Sequence, residues 1–293
     1  MLWPKNLNKR IKANFKLAEL TSFKVGGAAR FFFEAKSVQE LQEVLILARR
    51  ADIPVFILGA GSNILVSDAG LDGLVIKLSG RLFKRIKRKG NFLEAGAGVK
   101  LNQLMLYARN SGLCGLEFLA GIPGTLGGAL AGNAGARERS LGALVKDVCV
   151  LDYGGKPRRF LAKQLKFAYR KSNLNKYIIL SARIKLRKAN KHAVGLRIRE
   201  YLLLRSKTQK DALPNAGCIF KNPAGNTAGK LVDACGLKGK IKGGAIISKS
   251  HANFILNKDK ASSKDILSLM DLMQRKVRKR FKVELEPEIK IWM

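Results

Sequence analysis

Cysteine and histidine are scarce in this chain. Cys114, Cys149, Cys218 and Cys235 stand far apart, no CxxC pair occurs, and His192 and His251 are the histidines. Such spacing supports neither a zinc site nor a disulfide framework, so no metal is expected. The opening MLWPKNLNKRIKANFK turns polar almost at once. It lacks the basic segment and apolar run of a signal peptide, and a cytoplasmic setting is expected. Solenoid-period repeats and low-complexity linkers are missing too. A chain of 293 residues, 47% of them hydrophobic, has room for two or three domains with sizeable cores.

Acidic residues are also in short supply: 21 Asp+Glu stand against 56 Lys+Arg, a formal net charge of +35. This raises the local concentration of any anionic partner, whether nucleic acid, membrane surface or phosphorylated metabolite. Basic clusters occur at KRIKRKG (84–90) and RKVRKRFK (275–282). The second lies on a helical pattern whose Ile266, Met270, Met273 and Val277 form a core stripe, so its basic side reads as a solvated face. Neither cluster has the interleaved aromatics of a single-strand binder. The +35 charge alone motivates a basic nucleic-acid-binding protein as a competing reading; no obligate nucleic acid is expected, and a monomer is.

Charge is lacking altogether in LAGIPGTLGGALAGNAGA (119–136). The length would permit a membrane span, but Gly121, Gly124, Gly127, Gly128, Gly132, Gly135 and Pro123 supply little apolar side-chain surface, so no membrane insertion is expected.

Patterning elsewhere is mixed α and β. A strand around Phe31–Phe33 leads to Ser37-Val-Gln-Glu40, a capping box that starts a helix with Leu41, Val44, Leu45 and Ala48 on one face. Ile53-Pro54 ends the helix, VFIL (55–58) reads as a buried strand, and GLVIKL (73–78) follows. FLEAGAG reads as a strand, and LNQLMLYARNSG as a helix closed by Gly112. DVCVLDYGGKPRRF reads as a hairpin and YIILSARIKL as a strand. From about Val194 come a helix, a strand at GCIFKNP, a helix at TAGKLVDACG, two strands, the basic helix and a last strand VELEPEIKIW. Boundaries are expected near residues 80 and 192, giving segments 1–80, 81–191 and 192–293, with 283–292 returning to the second.

Gly59-Ala60-Gly61-Ser62-Asn63 follows the buried strand, and no long helix starts there, so a Rossmann fingerprint does not fit. The amides of so compact a loop suit a phosphate nest. The second glycine run offers the same physics: Gly121, Gly124, Gly127 and Gly128 let a ligand approach the backbone and present amides to a pyrophosphate. Two such loops, expected in separate domains, suggest one long dianionic ligand.

TSFKVGGAARF, ILGAGSNILVSD, the glycine run, FAYRKS, NAGCIFKNP, AGKLVDACGLKG, SKSHANFILN and LEPEIKIW, in that order, resemble the UDP-N-acetylenolpyruvoylglucosamine reductase family across nearly the whole chain. The resemblance implies an α+β fold of the p-cresol methylhydroxylase/vanillyl-alcohol oxidase type, two FAD-binding subdomains with the flavin between them, and a C-terminal substrate-binding domain. FAD would be held by residues 59–63 together with Gly121, Ile122, Pro123, Gly124, Gly127, Gly128, Asn133 and Gly135. Covalent flavin enzymes of this fold carry a histidine in the first glycine loop; GAGSN has none, so the FAD is expected to be non-covalent. An oxidase of the same fold is a further reading, against which GCIFKNP and LEPEI argue.

The family reduces an enolpyruvyl ether of a UDP-sugar with NADPH. Hydride addition at the methylene carbon builds charge on the neighbouring carboxylate, which needs a cation, and the adjacent carbon then needs an acid. Arg170 matches the family's arginine, and its fork suits a carboxylate. Glu288 matches the C-terminal glutamate and is expected to have a perturbed pKa. Cys218 stands where the family more often has serine as proton donor; a thiol with a reference pKa of about 8.5 is protonated near neutrality and a stronger acid than an alcohol. Tyr169, Lys221 and Asn222 are substrate-binding candidates. His251 reads as a structural histidine. No tyrosine-bearing loop is inserted between Arg170 and Val194, which points to the branch of the family lacking it.

Overall fold

The computed structural model describes residues 3–136, 139–208 and 211–293. The chain divides into two compact units and passes between them repeatedly: residues 1–12, 31–60 and 73–205 form the first, and 13–30, 61–72 and 206–293 the second.

After a short helix at Lys5–Asn8, the first unit contains most of β1 (Ala28–Ala35), then α1 (Val38–Arg50), β2 (Val55–Leu58) and β3 (Leu71–Leu78). Ser37 caps α1, its side chain accepting from the Glu40 amide at 3.1 Å. The Glu40 carboxylate takes the Lys36 amide at 2.8 Å and the Arg10 guanidinium at 2.6 Å. That pairing holds the carboxyl below its ordinary range, chiefly through the Arg10 hydrogen bonds. The periodic Leu41, Val44, Leu45 and Ala48 are all buried. β1, β3 and β2 lie side by side in that order, β2 parallel to β3 with Val55 opposite Leu74.

The second sheet of this unit uses β4 (Ile86–Lys89), β5 (Phe92–Gly96), β6 (Val145–Leu151), β7 (Pro157–Leu161) and β8 (Ile178–Lys185). Its order is β7-β6-β8-β5-β4, antiparallel throughout. Between β5 and β6 the chain forms α2 (Leu101–Asn110) and α3 (Leu126–Ala131), and after β8 it forms α4 (Lys191–Thr208). Gly112 ends α2 at φ +65°, as the sequence suggested. Val194 and Ile198 of α4 are buried in the core of this unit. The division therefore falls after Arg205 rather than near residue 192, because the apolar face of α4 packs backward along the chain. No division is found at residue 80: segments on both sides share one core, including Phe33, Leu74, Leu93 and Leu104.

The second unit contains α5 (Ala228–Ala234), β9 (Ile241–Lys242), β10 (Ala245–Ile247), β11 (Ile255–Asn257), α6 (Ser263–Phe281) and β12 (Lys290–Trp292). β9, β10 and β11 form an antiparallel sheet. The expected stripe Ile266, Met270, Met273 and Val277 of α6 is buried, joined by Leu269. Phe23, Val25 and Leu65 complete the same core. The last strand does not return to residues 81–191: Lys290, Ile291 and Trp292 pair in parallel with Ile64, Leu65 and Val66. It is also shorter than VELEPEIKIW suggested, because Pro287 lacks an amide and meets Phe220 in an isolated bridge. Among the described residues no helix is long and apolar enough to cross a membrane.

Candidate functional site

In the first unit the two glycine stretches meet. The helix α3 inside the uncharged run was not legible in the sequence; Thr125 caps it, accepting from the Gly128 amide at 3.5 Å. A Cβ on Gly59, at the end of β2, would come within 2.8 Å of Thr125 Oγ1. The first loop is itself divided, with Gly59 and Ala60 in the first unit and Gly61, Ser62 and Asn63 in the second. The expectation of two loops in separate domains is corrected accordingly: Gly59 and Thr125 are neighbours within one unit.

The glycines of the run do different jobs. The amides of Leu126 and Gly127 donate to Val99 and Ala97 carbonyls at 2.8 Å, and a Cβ on Gly127 would lie 2.9 Å from Ala97 Cβ. Gly127 is thus a packing glycine, its amide turned inward rather than toward a pyrophosphate. Gly121, at φ +72°, lies under α4, where a Cβ would strike Arg205 Cδ at 2.7 Å. Ile122 donates its amide to Leu119 at 2.9 Å, and the Gly124 carbonyl, beyond Pro123, accepts from Leu101 at 3.0 Å. At Gly128 and Gly132 a Cβ would meet no protein atom closer than 3.7 Å. These two leave open, uncharged backbone beside the Thr125 cap, the close-approach surface that a dinucleotide phosphate requires, and FAD fits the residues present.

Asn133 is a staple. It is buried at φ +44°, donates from Nδ2 to the Ala168 carbonyl and accepts the Gly142 amide at Oδ1, both at 2.9 Å. The Ala168 it grips belongs to a small hairpin, Phe167–Ala168 paired with Lys171–Ser172, and Tyr169-Arg170 is its turn. Ser172 Oγ ties the same hairpin to the Ala131 carbonyl at 2.9 Å. Arg170 sits at φ +54° and donates from Nη1 to the Gly135 carbonyl at 3.2 Å. Its guanidinium lies 5.6 Å from the centre of the Tyr169 ring, which is 56% exposed. The structure therefore gathers Arg170, Tyr169, Asn133 and Gly135 with the glycine run. Left-handed backbone costs a non-glycine residue about 1 kcal/mol, and such strain clusters at functional sites.

In the second unit Gly61 adopts φ +67°, and a Cβ there would lie 1.9 Å from the Leu20 carbonyl oxygen. Its own carbonyl accepts from Ser22 at 2.9 Å, so this glycine packs the loop against TSFKVGG rather than opening it. Asn63 Nδ2 donates to the Glu288 carbonyl at 3.1 Å, and the Asn63 carbonyl accepts from Lys290 at 3.0 Å. The Glu288 amide in turn donates to Ile219 at 2.7 Å, and the Lys221 amide to Glu286 at 2.8 Å. Cys218, half-buried, bridges Phe254 on the other side. Asn63, Cys218, Lys221 and Glu288 are thus strung on one backbone network. Lys221 forms an ion pair with Glu286, and Asn222 Oδ1 accepts the Ala228 amide at 3.1 Å at the start of α5.

Asn253 escaped the sequence reading. Its amide side chain bonds the Phe220 backbone twice, accepting from the amide at 3.0 Å and donating to the carbonyl at 2.8 Å. Its carbonyl also takes the Ile219 amide at 2.8 Å. A strand neighbour is replaced here by a side chain, which explains why GCIFKNP forms bridges instead of a regular strand. The signal was an asparagine inside the apolar run ANFIL. Thr125, the residue between the glycines, was the other omission. His251 is structural: its Nδ1 accepts the Asn253 amide at 3.3 Å, its ring lies 4.4 Å from Phe254, and burial pushes its pKa down.

Comparison with known proteins places these halves in context. Residues 208–292 match the C-terminal domain of UDP-N-acetylenolpyruvoylglucosamine reductase, and residues 29–160 match an FAD binding domain. A relative named UDP-N-acetylenolpyruvoylglucosamine reductase 2, from Symbiobacterium thermophilum, is 41% identical over 285 residues, covering 97% of this chain and 92% of the relative. The reductase of Synechococcus sp. is 43% identical over 288 residues, with the same shares covered. The crystal structure of the reductase from Thermus caldophilus superposes with a TM-score of 0.84 at 36% identity, covering 97% of this chain and 99% of that one. Phl p 4, a grass pollen allergen with glucose dehydrogenase activity, shares the fold alone, with a TM-score of 0.50 and 17% identity over 62% of this chain and 42% of its own.

Proposed function

The chain belongs to the UDP-N-acetylenolpyruvoylglucosamine reductase family of FAD-dependent oxidoreductases, and from that premise we propose that it reduces UDP-N-acetylglucosamine enolpyruvate to UDP-N-acetylmuramate with NADPH as reductant. Its fold is the α+β p-cresol methylhydroxylase/vanillyl-alcohol oxidase type. The family's reaction belongs to peptidoglycan precursor synthesis.

FAD, held non-covalently, supplies two-electron transfer from NADPH to the enolpyruvyl double bond. Gly128 and Gly132 offer it open backbone, Gly59 and Thr125 fix the loops beside them, and Gly121, Ile122, Pro123, Gly124, Ala60, Gly61, Ser62 and Asn63 shape their course. Asn133, Gly127 and Gly135 contribute by packing. As a hydride equivalent reaches the methylene carbon, charge spreads to the neighbouring carbon and the carboxylate. Arg170 receives that charge, its turn held by the Asn133 and Gly135 contacts so that little reorganisation is needed. The Cys218 thiol gives its proton to the adjacent carbon and is reprotonated from solvent, so one hydride and one proton add across the double bond. Glu288, joined through its backbone to Asn63 and Ile219, supplies a carboxyl to the same intermediate. Tyr169, Lys221 and Asn222 bind the UDP-sugar.

The observation that carries this reading is the full-length match combined with the network through Asn63, Glu288 and Cys218. The test is an anaerobic visible spectrum taken before NADPH, after it, and after the enolpyruvyl substrate. Bleaching followed by recovery supports both half-reactions, while absence of bound flavin after FAD addition defeats the reading. Cys218→Ser is expected to recover its colour within about tenfold of the wild-type rate, and Cys218→Ala to bleach normally but recover about 10² to 10⁴ times more slowly.

A further inference from the structure

The antiparallel sheet of the first unit carries a basic face to which the reductase chemistry gives no use. Lys89 of β4 and Lys185 of β8 stand opposite Phe92 of β5 on its two sides, so the aromatic ring has a lysine on either hand. The Arg183 guanidinium lies 5.5 Å from the centre of that ring. Lys89, Gly90, Asn91, Phe92, Arg183, Lys185 and Lys188 line a shallow depression of roughly 550 Å³, with no carboxylate among them. Asp147 of β6 is 5% exposed and pairs with both Arg183, at 2.6 Å, and Arg159 of β7, at 3.0 Å. That carboxylate holds two guanidinium groups in fixed positions at the surface, each about half exposed.

The sequence read KRIKRKG as a basic run without interleaved aromatics. The register supplies the aromatic from the neighbouring strand instead. Arg88 is turned away, donating to the Ser111 carbonyl at 2.7 Å, which leaves Lys87 and Lys89 on alternate positions of β4. Cations therefore recur on β4, β8 and β7, interrupted by the exposed Glu94 of β5 opposite Lys87 and Arg183, and with neighbours spaced about 4.8 Å apart the five strands span about 19 Å. That breadth suits several consecutive phosphates better than a single phosphoryl group. The Phe92 ring beside them is partly exposed, and its stacking partner is an unstacked base, which a duplex does not present.

We infer that the outer face of this sheet, centred on Phe92, Lys89, Lys185 and Arg183, binds single-stranded nucleic acid, with phosphates on the cations and a base on the Phe92 and Arg183 platform. The test measures fluorescence anisotropy of a labelled 20-residue oligouridylate with the full-length, FAD-loaded protein at several salt concentrations. Lys89→Glu/Lys185→Glu is compared with Lys276→Glu/Lys279→Glu on the exposed face of α6, which changes net charge equally. The sheet variant is expected to bind about tenfold more weakly, with a log-log salt slope shallower by about 1.4, because each lost phosphate contact removes about 0.7 from a single-strand slope. Phe92→Leu keeps charge and apolar bulk and is expected to bind about fivefold more weakly with its slope unchanged. Flavin content and reductase activity, unchanged in each variant, report an intact fold. Equal loss in the α6 variant, no effect of Phe92→Leu, or equal competition by polyglutamate would each overturn the inference, the last in favour of an acidic protein partner.

Discussion

Replacing Gly59 by alanine tests whether the two glycine stretches touch where the structure puts them. The new methyl would lie 2.8 Å from Thr125 Oγ1 but 4.0 Å from Thr125 Cβ, so its conflict is with the hydroxyl alone. Gly59 is outside the left-handed region, and alanine brings no backbone strain of its own. To relieve the contact Thr125 must leave its rotamer, at about 1 kcal/mol, and release the Gly128 amide, at about another 1 kcal/mol. Reduced freedom of the unfolded chain returns about 0.5 kcal/mol, so Gly59→Ala should cost about 1.5 kcal/mol. Thr125→Ala removes the cap for about 1 kcal/mol. In the double variant the cap is lost once and nothing collides, so about 0.5 kcal/mol remains. The sum of the singles thus exceeds the double by about 2 kcal/mol, inside the range for contacting residues. Equilibrium urea unfolding of the four flavin-free proteins measures it. Additivity within about 0.5 kcal/mol would refute the reasoning.

Three further outcomes follow from the geometry. Asn253→Ala deletes both side-chain bonds to Phe220 in a buried setting and should cost about 3 kcal/mol in urea unfolding, with Asn253→Asp little better because it cannot donate to the carbonyl. Arg170→Gly relieves the left-handed backbone by about 1 kcal/mol while losing the bond to Gly135, so stability should hardly change as kcat/KM falls about a thousandfold; a parallel fall in stability would point to a structural arginine. Burial lowers the His251 pKa, so as pH drops through the ordinary histidine range the unfolded chain binds a proton that the folded chain refuses. Wild-type stability should therefore hold above about pH 6.5 and decline below it, and His251→Gln should flatten that slope between pH 7.5 and 5; identical slopes would remove His251 as the cause.

How much was legible depended on how local the cause was. The helix α6 announced itself because its apolar stripe repeats at the helical period, and α1 because serine and glutamate stand three apart at its start. The hairpin of β6 and β7 needed no more than its two glycines and flanking apolar residues. Helix α3 was hidden because six residues, four of them glycine or alanine, carry no periodic signal. The partition of the chain was hidden for another reason: Phe23 and Leu65 look like ordinary strand residues, and nothing nearby says that their packing partners lie beyond residue 216. At the site, residue types and spacing pointed to a backbone cradle and a carboxylate-binding arginine. They did not separate the open glycines, 128 and 132, from packing glycines such as 61, 127 and 135, a distinction that depends on atoms distant in sequence.

The assembly of the second unit from three separate stretches bears on how the chain is made. Residues 13–30 leave the ribosome early, but Phe23 and Val25 share their core with Ile219, Phe220, Leu285 and Ile289, and the Phe23 carbonyl takes its hydrogen bond, at 2.9 Å, from Asn257. At translation rates of about 5–20 residues per second, that early segment waits on the order of ten seconds or more for its partners. During the wait its apolar side chains are open to chaperones, proteases and other nascent chains. A fragment starting at residue 206 would have the reverse defect, arriving with its helices and sheet but without the two earlier segments that close its core.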